Sequence, residues 1–338
     1  MQQTNAINSK QHFQILDGLR GIAAVAVVIF HFMEIAVPDY SKNFISHAYL
    51  AVDFFFCLSG FVIAYAYDER LHQTGIATFF KLRLIRLHPL VIIGSVIGII
   101  VFVFDPMSNL HQKYADKLLL MFMASCLMIP YPLVRERYFN LFHLNAPAWS
   151  LFWEYIANIV YALVLVRLPK KALWVLTVIA AALLVYEAHV STNISVGWGG
   201  DNIMGGGVRV FFSFLAGILV YRSKWIINSS LGFIGLGAML LASLVIPFSN
   251  EWNPIVEPLV VIFYFPLLIA LGAGARLAPS LKSLCNFSGE ISYPLYMIHY
   301  PFIWLFMSYI ETQQPSMADK TIVMVVGTPL LIGFAYVV

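Results

Sequence analysis

An all-α bundle of about ten membrane-spanning helices is predicted by three observations. Of the 338 residues, 60 % are hydrophobic and only 11 % charged. The mean hydropathy is +0.81. Apolar runs long enough to cross a bilayer recur along the whole chain, with no repeat period and no soluble appendage. That balance excludes an ordinary soluble globule. The net charge of +3 is small and the basic residues are dispersed, which points to no nucleic-acid partner. Residues 1–338 are read as one integral-membrane domain, with 1–12 as a polar, flexible N-terminus.

The runs are, in order, Leu16–Val37, Ala48–Tyr67, Pro89–Phe104, Trp149–Val166, Ala172–Ala188, Val208–Tyr221, Leu231–Phe248, Ile255–Ala273, Ile291–Ile310 and Thr321–Val338. The first is too long for a secretory leader, carries His31 and Glu34, and lacks a cleavage site. One further run, 117–130, is shorter than the ~17–25 residues a span needs and ends in Pro130 and Pro132. If it does not cross and the N-terminus is cytoplasmic, thirteen of the 20 Lys and Arg face inward and seven outward. If it crosses, the split becomes ten to ten. The positive-inside rule therefore favours a re-entrant or interfacial helix there. The last run reaches Val338 with no polar tail after it, as expected of a shortened chain.

Arg20 opens the first span and His31 follows eleven residues later. At ~1.5 Å per residue the two are roughly 16 Å apart along a helix, about half of a ~30 Å hydrocarbon core. An ionisable ring at that depth is expensive, and the expectation is that it is functional. The same arithmetic puts Asp53 roughly 6 Å and Glu154 about 9 Å below the outer face, and His299 roughly 13 Å above the inner one, near His31. Arg83 and Arg86 open the third span beside Arg20. Two layers result: three arginines at the cytoplasmic face, and His31, Asp53, Glu154 and His299 in the middle or outer half.

Forked guanidinium donors hold phosphates, and an imidazole titrating near neutrality can take a proton while a carboxylate fixes its tautomer. Together they fit a phosphorylated donor whose reactive end reaches a base ~16 Å away. The phosphopantetheine arm of an acyl-CoA has about that reach, by chemical inference. A transporter or flippase for a glycan or lipid-linked substrate would use buried charges as a path, but it predicts paired broken helices in repeated halves, which the sequence lacks.

Plainer readings stand beside these. Asp53 suits a helix N-terminus, Arg83 and Arg86 suit topology anchors, and His299, two residues before Pro301, suits a freed carbonyl. Cys57, Cys126 and Cys285 lie apart in apolar runs, with no metal spacing or disulfide framework. No metal is expected. His111 and Asp116 match an acyltransferase H-x4-D spacing only by chance, and Gly205–Gly207 reads as a flexible linker in an outer loop.

Five stretches, in order, resemble the acyltransferase 3 family of membrane proteins that O-acylate sugars. LDGLRGIAAVAVVIFHF at 16–32 resembles its first helix, marked by an Arg, ten residues and a His; these are Arg20 and His31. VDFFFCLSGFVIAYAY at 52–67 resembles the second, with Ser59–Phe61 as its Ser-Gly-Phe turn. RLIRLHPL at 83–90 resembles the R-x-x-R start of the third, and PAWSLFWEYIANIVY at 147–161 the Trp-Ser-Leu-x-x-Glu helix, giving Trp149 and Glu154. ISYPLYMIHYPFI at 291–303 resembles the Ser-Tyr-x-Leu-Tyr-x-x-His-x-Pro segment, giving His299. Two departures stand out: the Glu-x-Pro-like segment past the final helix is not reached, and no soluble SGNH-type esterase domain follows.

The resemblance implies a multi-pass protein of the bacterial inner membrane, N-terminus cytoplasmic, that takes an acyl group from cytoplasmic acyl-CoA, with acetyl-CoA the first expectation. The acceptor would be a hydroxyl of a cell-envelope or exported glycan, or of a lipid-linked sugar, on the extracytoplasmic side. In that scheme Arg20, Arg83 and Arg86 bind the donor. His31 is the base or the acyl carrier, oriented by Glu154 or Asp53. Trp149, Trp153, His299 and Ser59 line the acceptor site.

Overall fold

The computed structural model describes residues 13–338; the expected flexible segment at 1–12 lies outside the described residues. Among the described residues no strand forms, and two isolated bridges, Asn140 with Gly199 and Ser229 with Ala275, tie loops together. Eight helices are long and apolar enough to cross a membrane: α1 (Gln14–Ala36), α2 (Ala48–Tyr67), α3 (Ile76–Phe104), α5 (Ala148–Arg167), α6 (Lys170–Val190), α7 (Ile203–Arg222), α9 (Asn253–Gly274) and α12 (Met317–Val337). These make a multi-pass membrane bundle. Apart from single-turn helices, the remaining described helices are α4 (Leu118–Cys126), α8 (Gly232–Leu244), α10 (Lys282–Ile298) and α11 (Tyr300–Gln313).

Two of the ten expected spans take a different form. α8 has 13 residues, or roughly 20 Å, which is less than a full hydrocarbon core. The run 291–310 is divided at His299 into α10 and α11, because Pro294 and Pro301 remove two backbone donors from that stretch. The carbonyl of Met297, which Pro301 cannot serve, accepts the Asn145 side-chain amide at 2.7 Å instead. α4 has nine residues, about 13 Å, and cannot cross. α3 starts at Ile76, not near Arg83, so Arg83 and Arg86 sit inside a helix instead of at its mouth.

Burial ranks the helices. In α2, α7 and α1, 78 %, 72 % and 61 % of the apolar window is buried, against 11 % in α12. These three helices are therefore the centre of the bundle, and α12 lies at the periphery. Lipid tails are as apolar as Leu, so close backbone approach rather than hydrophobic drive holds such helices together. At Gly21 in α1 a Cβ would stand 2.0 Å from the Ser288 carbonyl oxygen of α10, and at Gly217 in α7 it would stand 1.9 Å from the Cys57 carbonyl oxygen of α2. These two contacts bring α10 onto α1 and α7 onto α2, and with them Ser292 onto Arg20 and Arg209 onto Asp53.

Candidate functional site

Eleven helical steps are about three turns, so Arg20 and His31 share one face of α1 roughly 16 Å apart. Each opens into its own cavity. The arginine chamber, about 140 Å³, is lined by Arg20, Arg83 and Arg86 with Ser59, Glu154 and Ser292. The histidine chamber, about 240 Å³, is lined by His31 and Glu34 with a wall of Tyr40, Trp149, Trp198 and Tyr300. Val52 and Tyr296 belong to both linings.

In the arginine chamber, Arg20 donates from Nε to Ser292 Oγ at 2.8 Å and lies 3.3 Å from the Asp17 carboxylate. Arg83 Nη2 donates to Glu154 Oε1 at 2.8 Å, and Ser59 Oγ donates to the same oxygen at 2.9 Å. Arg83 Nε is buried with no acceptor among the described residues. The three guanidiniums thus face one cavity with donors to spare, which suits a multiply charged phosphate group.

In the histidine chamber, His31 Nδ1 lies 2.5 Å from Glu34 Oε1. A carboxylate only accepts, so Nδ1 carries the proton and Nε2 is left as a base. Glu34 also accepts from the Tyr40 hydroxyl at 3.2 Å and the Tyr300 hydroxyl at 3.4 Å. The His299 ring stacks on His31 at 5.3 Å and 21°. His299 Nδ1 donates to the Leu295 carbonyl at 2.9 Å, and its buried Nε2 has no partner among the described residues.

The residues expected to orient His31 are elsewhere. Glu154 faces the arginines, because α3 carries Arg83 seven residues, about 10 Å, into the bundle. Asp53 is fully buried against Arg209, which reaches it from Nε at 3.2 Å and Nη2 at 2.6 Å. Arg209 also donates to the Tyr49 and Val196 carbonyls, and its guanidinium lies 5.2 Å from the Trp149 ring centroid. Asp53 therefore joins α2 to α7 and reaches the site only through Arg209, which lines the histidine chamber. Ser59 belongs to the arginine chamber instead of an acceptor site. His299 stands behind His31 and is fully buried.

Trp149 lines the histidine chamber, but Trp153 lines neither chamber. Its indole lies along the start of α7, where a Cβ at Gly206 would stand 2.4 Å from Trp153 Nε1 and one at Gly207 2.8 Å from the ring. Gly205–Gly207 is thus helical and tightly packed instead of a flexible linker. Glu34 is a candidate side chain that sequence reasoning did not single out. Its signal was the i,i+3 spacing to His31, one turn of the same helix. Tyr49, also on the wall, is held by its hydroxyl to Glu257, a fully buried carboxylate that also accepts from the Ile194 amide at 2.6 Å. Among the described residues, no group of three or more His, Cys, Asp or Glu is placed to hold a metal ion.

Comparison with known proteins places this geometry. Residues 13–338 match Acyl_transf_3, an acyltransferase domain. The chain is 35 % identical over 190 residues to "Protein 2 in picA locus" of Rhizobium radiobacter, covering 53 % of this chain and 96 % of that one. It is 24 % identical over 337 residues to the peptidoglycan O-acetyltransferase OatA of Listeria monocytogenes, covering 91 % of this chain and 52 % of that one. It is 25 % identical over 326 residues to the O-acetyltransferase OatA of Staphylococcus aureus, covering 89 % and 52 %. The chain thus spans about half the length of these OatA relatives. No solved structure matches. From the match across nearly all its length, the chain belongs to the acyltransferase 3 family.

Proposed function

We propose that this acyltransferase moves an acetyl group from acetyl-CoA, bound in the arginine chamber, to a glycan hydroxyl presented in the histidine chamber. The observation that carries the reading is the stacking of the two polar chambers along one face of α1, with a shared wall at Val52 and Tyr296. With the N-terminus taken as cytoplasmic, as the positive-inside count over the ten sequence-read spans favours, the arginine chamber faces the cytoplasm and the histidine chamber the other face of a bacterial inner membrane. The names of the OatA relatives support a glycan acceptor.

In this mechanism Arg20, Arg83 and Arg86 hold the phosphates of CoA, and the pantetheine arm carries the thioester toward His31. His31 Nε2 removes the proton of the acceptor hydroxyl as its oxygen attacks the thioester carbon. Glu34 stabilises the imidazolium that forms, and its bonds from Tyr40 and Tyr300 keep the carboxylate in place. The carbon–sulfur bond breaks, and the CoA thiolate leaves with the proton returned through solvent. His31 could equally take the acetyl group first and pass it on. The flat walls of Trp149, Trp198 and Tyr40 suit the face of a sugar ring. The acceptor is a glycan, free or lipid-linked.

The test is reconstitution of the purified protein with radiolabelled acetyl-CoA and the envelope glycan of its host, following thiol release and acetyl ester on the glycan. Thiol release with equimolar ester supports the reading. Acetyl-CoA left unconsumed while the glycan is present overturns it.

A further inference from the structure

Neither chamber by itself explains how the thioester meets His31, because the two are separate cavities. Tyr296 and Val52 are the residues common to both linings, and the Tyr296 ring packs edge-on against Phe55 at 5.6 Å. Its hydroxyl lies 2.7 Å from Ser150 Oγ. Ser150 gives its only proton to the Pro147 carbonyl at 3.0 Å, so Tyr296 is the donor of that bond. One hydrogen bond, the edge contact with Phe55 and a tilted contact with the His299 ring at 6.1 Å hold the ring between the chambers.

The backbone beneath the ring is unusual. Tyr296 lies between Pro294 and Pro301, where two helical amide donors are missing and the helix divides at His299. Such a turn can change direction at lower cost than a continuous helix. The carbonyl of Met297, the next residue, is held only from the side by Asn145. A ring on a compliant turn, latched by one bond between two cavities, is built to move.

We propose that Tyr296, with Val52 opposite, is a gate: the ring leaves Ser150 to let the acyl end of the donor pass, and otherwise keeps the two chambers from joining across the membrane. Tyr296 is thereby a positioning residue. The proposal rests on the donor and acceptor assignment above only for what passes through; the closure itself is independent of it.

The test reads closure without activity. Ser195, in the wall of the histidine chamber, is replaced by Ser195→Cys, and vesicles are treated with a membrane-impermeant thiol reagent from one face at a time. Labelling at position 195 is mapped by peptide mass spectrometry, so the native cysteines need no change. With Tyr296 intact, labelling is expected from the histidine-chamber face alone. Tyr296→Ala should add labelling from the arginine face at a rate at least tenfold above background. Tyr296→Phe, which keeps the ring and loses only the latch, should give a smaller increase and guards against a folding defect in the alanine variant. Val52→Trp should leave labelling one-sided and abolish acetyl transfer.

Two-sided labelling with Tyr296 intact, or one-sided labelling in both Tyr296 variants, overturns the gate. Failure of the native protein to consume acetyl-CoA in the same vesicles with the glycan supplied overturns the proposed function and leaves the labelling result to decide the gate.

Discussion

In the arginine chamber the carboxylate faces a guanidinium brought from another helix, whereas in the histidine chamber it faces an imidazole one turn away on its own. Glu154 and Arg83 are 71 residues apart in the chain; Glu34 and His31 are three apart. The distant pair depends on how α3 and α5 pack, so it is a structural device that also tunes a binding surface. The local pair is set as soon as α1 forms, so its geometry survives changes elsewhere in the bundle. The Arg83–Glu154 pair is assembled by the fold, whereas His31–Glu34, like Arg20–Asp17, is set one turn apart within α1.

The largest expected effect breaks the histidine side. His31→Ala should lower acetyl transfer by about 10²–10⁴-fold, the range of a general base, with unchanged membrane extraction and elution. Transfer at the native rate would remove His31 from the chemistry. Next is the buried ion pair. Asp53→Ala leaves Arg209 uncompensated, and about 3–5 kcal/mol of stability should be lost in thermal unfolding. Replacing both partners together, Asp53→Leu with Arg209→Met, should restore most of it. If Asp53 instead acted in catalysis, the double variant would be stable and inactive even with Trp149 correctly placed.

Glu34→Gln and Glu154→Gln then separate the chambers. The first should lower kcat by roughly 10–100-fold, a fraction of the general-base contribution, with the donor KM unchanged. The second should move the donor KM and leave the acceptor KM alone; the opposite pattern would return Glu154 to the imidazole. Arg83→Lys keeps a charge but loses the fork, and a several-fold rise in donor KM is expected from titration with acetyl-CoA. Smallest is the tryptophan contrast. Trp149→Ala should weaken the acceptor, whereas Trp153→Ala should lower thermal stability and leave acceptor KM within about twofold, since its ring packs on α7 and not in the chamber.

Most of the helices were legible because a run of apolar residues long enough to cross a bilayer has few alternatives. Arg20 and His31 were legible for a similar reason: two polar groups on one helix keep their separation wherever that helix goes. Arg209 was not. It lies at the start of the run Val208–Tyr221 beside three glycines, and only the docking of α7 on α2 reveals that those glycines are packing surface and that the arginine is buried on Asp53. Tyr296 was hidden in the same way, since nothing in an aromatic-rich sequence singles out the ring that stands between two cavities.

By itself, the sequence determined the class of the molecule, the vertical spacing of cation and imidazole, and the i,i+3 placement of Glu34 beneath His31. Those properties follow from the rise and pitch of a single helix. Tertiary structure alone decided which carboxylates Arg83 and Arg209 meet, where the chambers lie, and which side chains stand between them. Such contacts join residues far apart in the chain, 71 positions for Arg83 with Glu154 and 272 for Arg20 with Ser292, and helix geometry carries no information about which neighbour will supply the partner.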